Sequence, residues 1–204
     1  KSEEFGVPQK RHRVIVVGIR EDHPGVPETL RRARPASVRD ALGRLPPVRS
    51  GLSRGKDTES EWLQVRRASA EALLSADLPE TAKEIVRSLT TSDAPRGGRG
   101  VNFARSLPGL RQNTVLDAWL SSPELQGYTQ HESRSHMPSD LQRYLYVAAV
   151  AAATGKSPKL EQWPAELLPK HKNVGVNEDG IVEASGFADR FKVQVWDEPS
   201  STVT

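Results

Sequence analysis

Gln9, Arg11 and Arg13 occupy alternate positions of a Gln-Lys-Arg-His-Arg stretch near the start of the 204-residue chain. In extended backbone, alternate side chains point the same way. Two guanidinium forks would therefore lie parallel, with a neutral amide beside them. Such forks engage a phosphate and a carbonyl oxygen at once, which suits them to gripping a nucleotide. A second set, Arg96, Arg99, Arg105, Arg111 and Gln112, lies in and after a glycine-rich stretch. Arginine makes bidentate contacts to guanine and glutamine to adenine, so these side chains are candidate base readers by residue type. Arg134 sits between His131 and His136. Phosphate contact by Arg134 or a histidine competes there with internal hydrogen bonding of the loop. A metal site needs three or four ligands, and the sequence shows no third partner for the two histidines. With no cysteine in the chain, a disulfide, a Cys-ligated metal and a thiolate nucleophile are all excluded. No Gly-x-Ser-x-Gly elbow is present, and Gly97-Gly98-Arg99-Gly100 lacks the strand-before, helix-after setting of a nucleotide loop.

The elements that must position these residues are legible in part. Arg13 to Ile19 is an unbroken β-branched run, the signature of a strand covered on both faces. The chain offers few partners of that kind, which predicts a sheet edge left partly exposed. Ser37-x-x-Asp40 opens a short helix that Pro46-Pro47 stops. Thr58-x-x-Glu61 is a capping box for a helix burying Trp62, Val65, Ser69 and Leu73, and Pro79 starts another with Ala82, Ile85, Val86 and Leu89 on one face. Ser139-x-x-Gln142 is read as the cap of the clearest helix. Its expected stripe is Leu141, Tyr144, Leu145, Ala148 and Ala152, and Gly155 ends it. A short amphipathic turn follows at Trp163 to Lys172. Phe191, Val193 and Val195 alternate with Lys192, Gln194 and Trp196, which predicts a half-buried strand. The four tryptophans are expected mostly in the core.

Apolar residues make up 36% of the chain and charged residues 27%, enough for a packed core but not a large one. No apolar run approaches 18 residues, so no membrane span is expected, and Lys1-Ser2-Glu3-Glu4 does not read as a signal peptide. Residues 1–56 carry 13 Lys and Arg against 6 acids, and 95–173 carry 10 against 6; 57–94 and 174–204 are acidic. A phosphate-binding face drawn from the two basic blocks competes with an ordinary solvated surface.

Phe5-Gly6-Val7-Pro8-Gln9-Lys10-Arg11-His12-Arg13-Val14 resembles the Gly-x-Pro-Gln-x-Arg-x-Arg motif of DNA cytosine-5 methyltransferases, where it runs into a sheet strand. Ser37-Val38-Arg39-Asp40-Ala41-Leu42 through Leu45-Pro46 is similar to the stretch that follows this motif. Gln130 to His136, Asp140 to Leu145, Ser157-Pro158, Leu168-Pro169 and His171-Lys172-Asn173 resemble one bacterial branch's recognition region. Asp189 to Thr204 resembles the stretch that closes it. The resemblance implies that Arg13 holds a flipped cytosine at its O2 edge, that Arg11 supports the nucleotide, and that Gln9 lines the pocket. It implies that Thr202 contacts the phosphate beside the flipped base. The expected class is α/β, of α+β character. It comprises the edge of a Rossmann-like sheet (1–56), a helical hairpin insertion (57–94) and a mixed target-recognition domain (95–204).

The family methylates C5 of cytosine with S-adenosylmethionine after a Pro-Cys thiolate adds at C6. Its cofactor loop, Pro-Cys and Glu-Asn-Val segments are not found in this chain. The expectation is a piece of a longer enzyme that binds no cofactor and is inactive by itself. Its partners would be double-stranded DNA and the missing catalytic portion, with no metal and no membrane, in the bacterial cytoplasm near the nucleoid and within restriction-modification. The alternative is a stand-alone sequence-specific DNA-binding module or a split-enzyme subunit without catalysis.

Overall fold

The computed structural model describes residues 1–22, 25, 28–92, 97–105, 115–122, 124–170, 174–177, 182–184 and 191–202. In chain order the regular elements are β1 (Gln9–Lys10), α1 (Val38–Leu42), β2 (Gly51–Leu52), α2 (Glu59–Leu74), α3 (Glu80–Thr91), β3 (Gly100–Arg105) and α4 (Val115–Leu120). They continue as β4 (Gly127–Glu132), β5 (Ser135–His136), α5 (Pro138–Thr154), β6 (Val174–Val176), β7 (Val182–Ala184) and β8 (Ser200–Ser201). The strands join two at a time: β1 with β8 and β2 with β5 in parallel, β6 with β7 antiparallel, and β3 with β4. The class is mixed α/β, as expected. The chain divides into two compact units, one of Lys1–Leu45, Arg105–Gly127 and Gln194–Thr204, the other of Pro46–Ala104 and Tyr128–Val193.

The second unit holds the core. Thr58 caps α2, its hydroxyl accepting from the Glu61 amide at 3.2 Å. The buried face of α2 reads Ser69, Ala70 and Leu73, in register with the expected stripe. Pro79 supplies the cap residue of α3, which buries Ala82 and Val86. Both helices pack on α5, and Leu73, Val86 and Val147 are fully enclosed between them. Trp163 and Leu167, on turns after α5, close one side of the cluster together with Phe191. Arg143 ties those turns down, its Nε donating to the Leu167 carbonyl at 2.8 Å and its Nη1 to Asp140 at 2.9 Å.

Four readings are corrected here. α5 starts at Pro138 after Met137, not on a Ser139 capping box; proline at the first helical position lacks only an amide that would be orphaned anyway. Its buried face is Tyr146, Val147, Ala149, Val150 and Ala151, while Ala148 and Ala152 are exposed. A run as uniformly small and apolar as Val147 to Ala153 gives periodicity nothing to distinguish one face from another. Residues 191–196 form no strand. Phe191 and Val193 still turn inward against the core, so the alternation marked burial without a ladder. Of the tryptophans only Trp163 is buried; Trp119 and Trp196 are 61% and 50% exposed.

The first unit differs in kind. The β-branched run after Arg13 pairs with nothing among the described residues and is not a strand; Val14 and Val16 are 90% and 88% exposed. A strand needs neighbours for its amides and its faces, and only Gln9–Lys10 finds one. The exposure foreseen from the shortage of partner strands is what the structure shows.

Candidate nucleic-acid interface

Gly6 takes φ +81°, a left-handed conformation that glycine adopts without steric cost. The turn it permits sends Pro8 and Gln9 into β1. There the ladder with β8 sets Gln9 beside Ser200 and Lys10 beside Ser201. Pro8 has no amide to offer, but its carbonyl accepts from the Ser200 amide at 2.9 Å. Thr202 Oγ1 donates to the Lys10 carbonyl at 3.0 Å. Two segments almost two hundred residues apart thus meet edge to edge, and they are the two in which sequence placed the nucleotide-gripping residues.

Ser2 clamps the other side of β1. Its hydroxyl donates to the Gln9 carbonyl and accepts from the Arg11 amide at 2.9 Å. Its own amide reaches the Arg11 carbonyl at 3.3 Å. The backbone of Arg11 is fixed in this way while its side chain stays in solvent. Arg13 is exposed too, with Nη1 donating only to the adjacent His12 carbonyl. Among the described residues no carboxylate pairs with Arg11 or Arg13. Their neighbours do pair: Lys10 Nζ lies 2.9 Å from Glu198, and His12 Nε2 lies 3.7 Å from Glu3.

β8 is held in place by α1. Ser37 caps this helix in a full capping box with Asp40, and both Ser37 hydrogen bonds hold the Asp40 carboxyl below its usual range. The next two amides, Val38 and Arg39, donate to the Glu198 and Trp196 carbonyls at 2.9 and 2.8 Å. They satisfy helix-start donors that would otherwise be orphaned. The Arg39 guanidinium grips Asp197 through two hydrogen bonds (2.6 and 3.2 Å) and lies over the Trp196 ring. That pairing holds the Asp197 carboxyl below its usual range. Gln194 completes the frame, accepting from the Ser201 amide at 2.8 Å. Sequence reasoning gave no role to Ser2, Lys10, Arg39, Gln194 or Asp197. Only Arg39 carried a signal, as part of the Val-Arg-Asp-Ala stretch.

The remaining candidates fare differently. Arg99 is engaged inside the fold: its guanidinium donates to the Ser133 carbonyl at 2.9 Å and lies 3.5 Å from Asp57. Asp57 also accepts from the nearly buried Arg49 at 2.7 Å, which holds its carboxyl below the usual range. Arg105 ends β3 exposed, and Arg134 is exposed at the turn before β5. Arg96, Arg111 and Gln112 lie outside the described residues. His131 Nε2 is 2.7 Å from the Pro46 carbonyl, and His136 packs edge-on to Tyr144. Among the described residues no three metal-ligating side chains cluster, and no helix is long and apolar enough to cross a membrane.

At Gly97 and Gly100 the chain offers no cradle for a cofactor such as S-adenosylmethionine. The glycine-rich turn is filled by the chain itself: a Cβ on Gly97 would lie 1.8 Å from the Pro47 carbonyl oxygen, and one on Gly100 1.9 Å from that of His131. These two glycines admit the backbone of Pro47 and His131.

Residues 1–96 match the family of C-5 cytosine-specific DNA methylases. A stretch of 49 residues is 45% identical to a type II methyltransferase, M.BbvI, of Brevibacillus brevis; it covers 22% of this chain and 13% of that protein. No solved structure matches the chain.

Proposed function

We propose that this chain, whose residues 1–96 match the C-5 cytosine-specific DNA methylase family, is the DNA-contacting side of a cytosine-5 methyltransferase. The observation that carries this reading is the β1–β8 ladder, which sets Gln9 and Lys10 beside Ser200 and Ser201, with Thr202 bonded to the Lys10 carbonyl. Arg11 and Arg13 face solvent without a carboxylate partner among the described residues, ready for phosphate and base oxygens. Arg13 holds the cytosine turned out of the stack, Arg11 supports its nucleotide, and Gln9 lines the pocket. Thr202 stands where the flanking phosphate runs.

The chemistry itself needs groups this chain lacks. With no cysteine it supplies no thiolate to attack C6, and it holds no segment resembling the family's methyl-donor loop. Both belong to other parts of the parent enzyme, and this chain alone transfers no methyl group. Residues 1–56 edge the catalytic sheet, 57–94 insert a helical pair, and 95–204 read the flanking bases in the bacterial cytoplasm. Arg96, Arg105, Arg111, Gln112 and Arg134 are the base and phosphate contacts of that region. Arg99 stays a candidate there only if DNA draws it from Asp57.

Equilibrium binding of the chain to duplex DNA carrying an unpaired cytosine tests this. Arg13→Ala should weaken binding by roughly ten- to a hundredfold, the worth of one good charge-assisted base contact, with the thermal midpoint unchanged. Equal affinity of Arg13→Ala and the parent chain would remove the assignment. Sequence-selective binding that ignores Arg11→Ala and Arg13→Ala would favour a stand-alone binding module instead.

A further inference from the structure

The proposed DNA edge has a donor problem. A threonine hydroxyl carries one proton, and that of Thr202 is committed to the Lys10 carbonyl at 3.0 Å. A phosphate only accepts hydrogen bonds, so Thr202 has nothing to give it while the ladder stands. Next to it, Lys10 ends β1 with an ammonium bearing three donors. One of these is directed to Glu198 at 2.9 Å, and both side chains are about half exposed (47% and 57%). Exposed pairs of this kind contribute little, so a phosphate diester can displace the carboxylate without a large cost.

Resting on the DNA-edge reading, we propose that Lys10 makes the backbone-phosphate contact at this edge, that Thr202 positions Lys10 through its carbonyl, and that Glu198 occupies the phosphate's place when DNA is absent. Glu198 is well placed for that role. It follows Asp197, which Arg39 grips in the two-pronged manner guanidinium also uses for phosphate. Its own carbonyl is anchored by the Val38 amide, so its carboxylate returns to Lys10 whenever the site empties. Lys10 and Glu198 line a cleft of about 530 Å³ together with Arg34, Arg39, Asp197 and Glu3, open to solvent. Arg39 is held by two hydrogen bonds to Asp197 in the same cleft, whereas Lys10 is held by a single contact to Glu198.

The test is duplex-DNA affinity as a function of salt for the full chain and for Lys10→Gln, Glu198→Gln, the double variant and Thr202→Val. Neutralising one phosphate contact lowers the slope of log affinity against log salt by about 0.9. Lys10→Gln should show that loss. Glu198→Gln should tighten binding about three- to tenfold at low salt, and the gain should vanish in the double variant. Thr202→Val should weaken binding at every salt concentration without lowering the slope, because Lys10 still reaches the phosphate but is no longer held in place. Lys10→Gln with unchanged slope, or a Glu198→Gln gain that persists without Lys10, overturns the proposal. If Arg13→Ala weakens binding in the same assay while the Lys10 and Glu198 variants do nothing, the inference fails and the DNA-edge reading survives. If the chain binds no DNA at all, both fall.

Discussion

The two units of the chain are stabilised by different physics. The unit of Pro46–Ala104 and Tyr128–Val193 is a helical core: α2, α3 and α5 enclose Leu73, Val86 and Val147 completely. The unit built on Lys1–Leu45 has little core among the described residues, where Val38 is its one buried apolar side chain. It is held by one two-residue ladder, the Ser2 clamp and the Arg39–Asp197 fork. The first arrangement resists change through buried area, the second through directed hydrogen bonds at the surface. Conserving shape in the second depends on a few polar atoms, and these atoms lie at the proposed DNA edge. The contrast assigns the buried core mainly to one unit and the β1–β8 ladder to the other.

The largest effect that sharpens the contrast is expected in the core. Leu73→Ala should cost about 2–5 kcal/mol, the lost transfer energy plus the cavity left behind, read as a drop in the denaturation midpoint. A cost under 1 kcal/mol would show that the three-helix cluster is loosely packed and remove one side of the comparison.

A smaller effect is expected from Ser37→Ala, which removes the α1 cap and should cost about 0.5–2 kcal/mol. α1 holds the 196–198 turn through two backbone amides, so DNA affinity should fall with it, whereas Leu73→Ala should alter affinity only as the chain unfolds. A Ser37→Ala chain that binds DNA as before would separate α1 from the edge.

The smallest effect concerns pH. Asp57 has its carboxyl lowered by hydrogen bonding to Arg49, then by the Leu52 backbone and by the charges of Arg49 and Arg99. A depressed carboxyl stabilises the fold above its unfolded value, near 3.8, and that contribution is lost as pH falls through the folded value. Asp57→Asn should therefore be less stable than the parent near neutrality, and the two should converge in strong acid. Parallel stability curves from neutrality to below pH 3 would show that the Arg49–Asp57–Arg99 cluster contributes nothing.

The same contrast decides what sequence could reveal. The helices of the core were legible because their signals are local: Thr58 as a cap, Pro79 as a start, Gly155 as an end with φ +72°. α5 was legible as a helix but not in its face, since alanines occupy both sides. At the candidate site, Gln9, Arg11, Arg13 and Thr202 were identified by spacing and resemblance. Their meeting in one ladder was not, because two-residue strands leave no periodicity. Residues 13–19 mark the limit from the other direction. Their composition favours a strand, but neighbours decide whether a strand forms, and Val14 to Val17 have none among the described residues. Arg99 illustrates a further limit: residue type suggested a base reader, whereas its surroundings made it a strut between Asp57 and Ser133.

The central claim is that Gln9 and Ser200 stand side by side at the DNA edge. Because the chain has no cysteine of its own, Gln9→Cys combined with Ser200→Cys gives a clean cross-linking pair. Neighbouring residues of one ladder lie within the roughly 4.4–6.8 Å Cα separation a disulfide requires. Mild oxidation should close the 9–200 bridge nearly completely while duplex affinity is kept. A pair at Val16 and Ser200, beyond the ladder, should not close. Failure of the 9–200 bridge to form, or its forming with loss of DNA binding, would contradict the account.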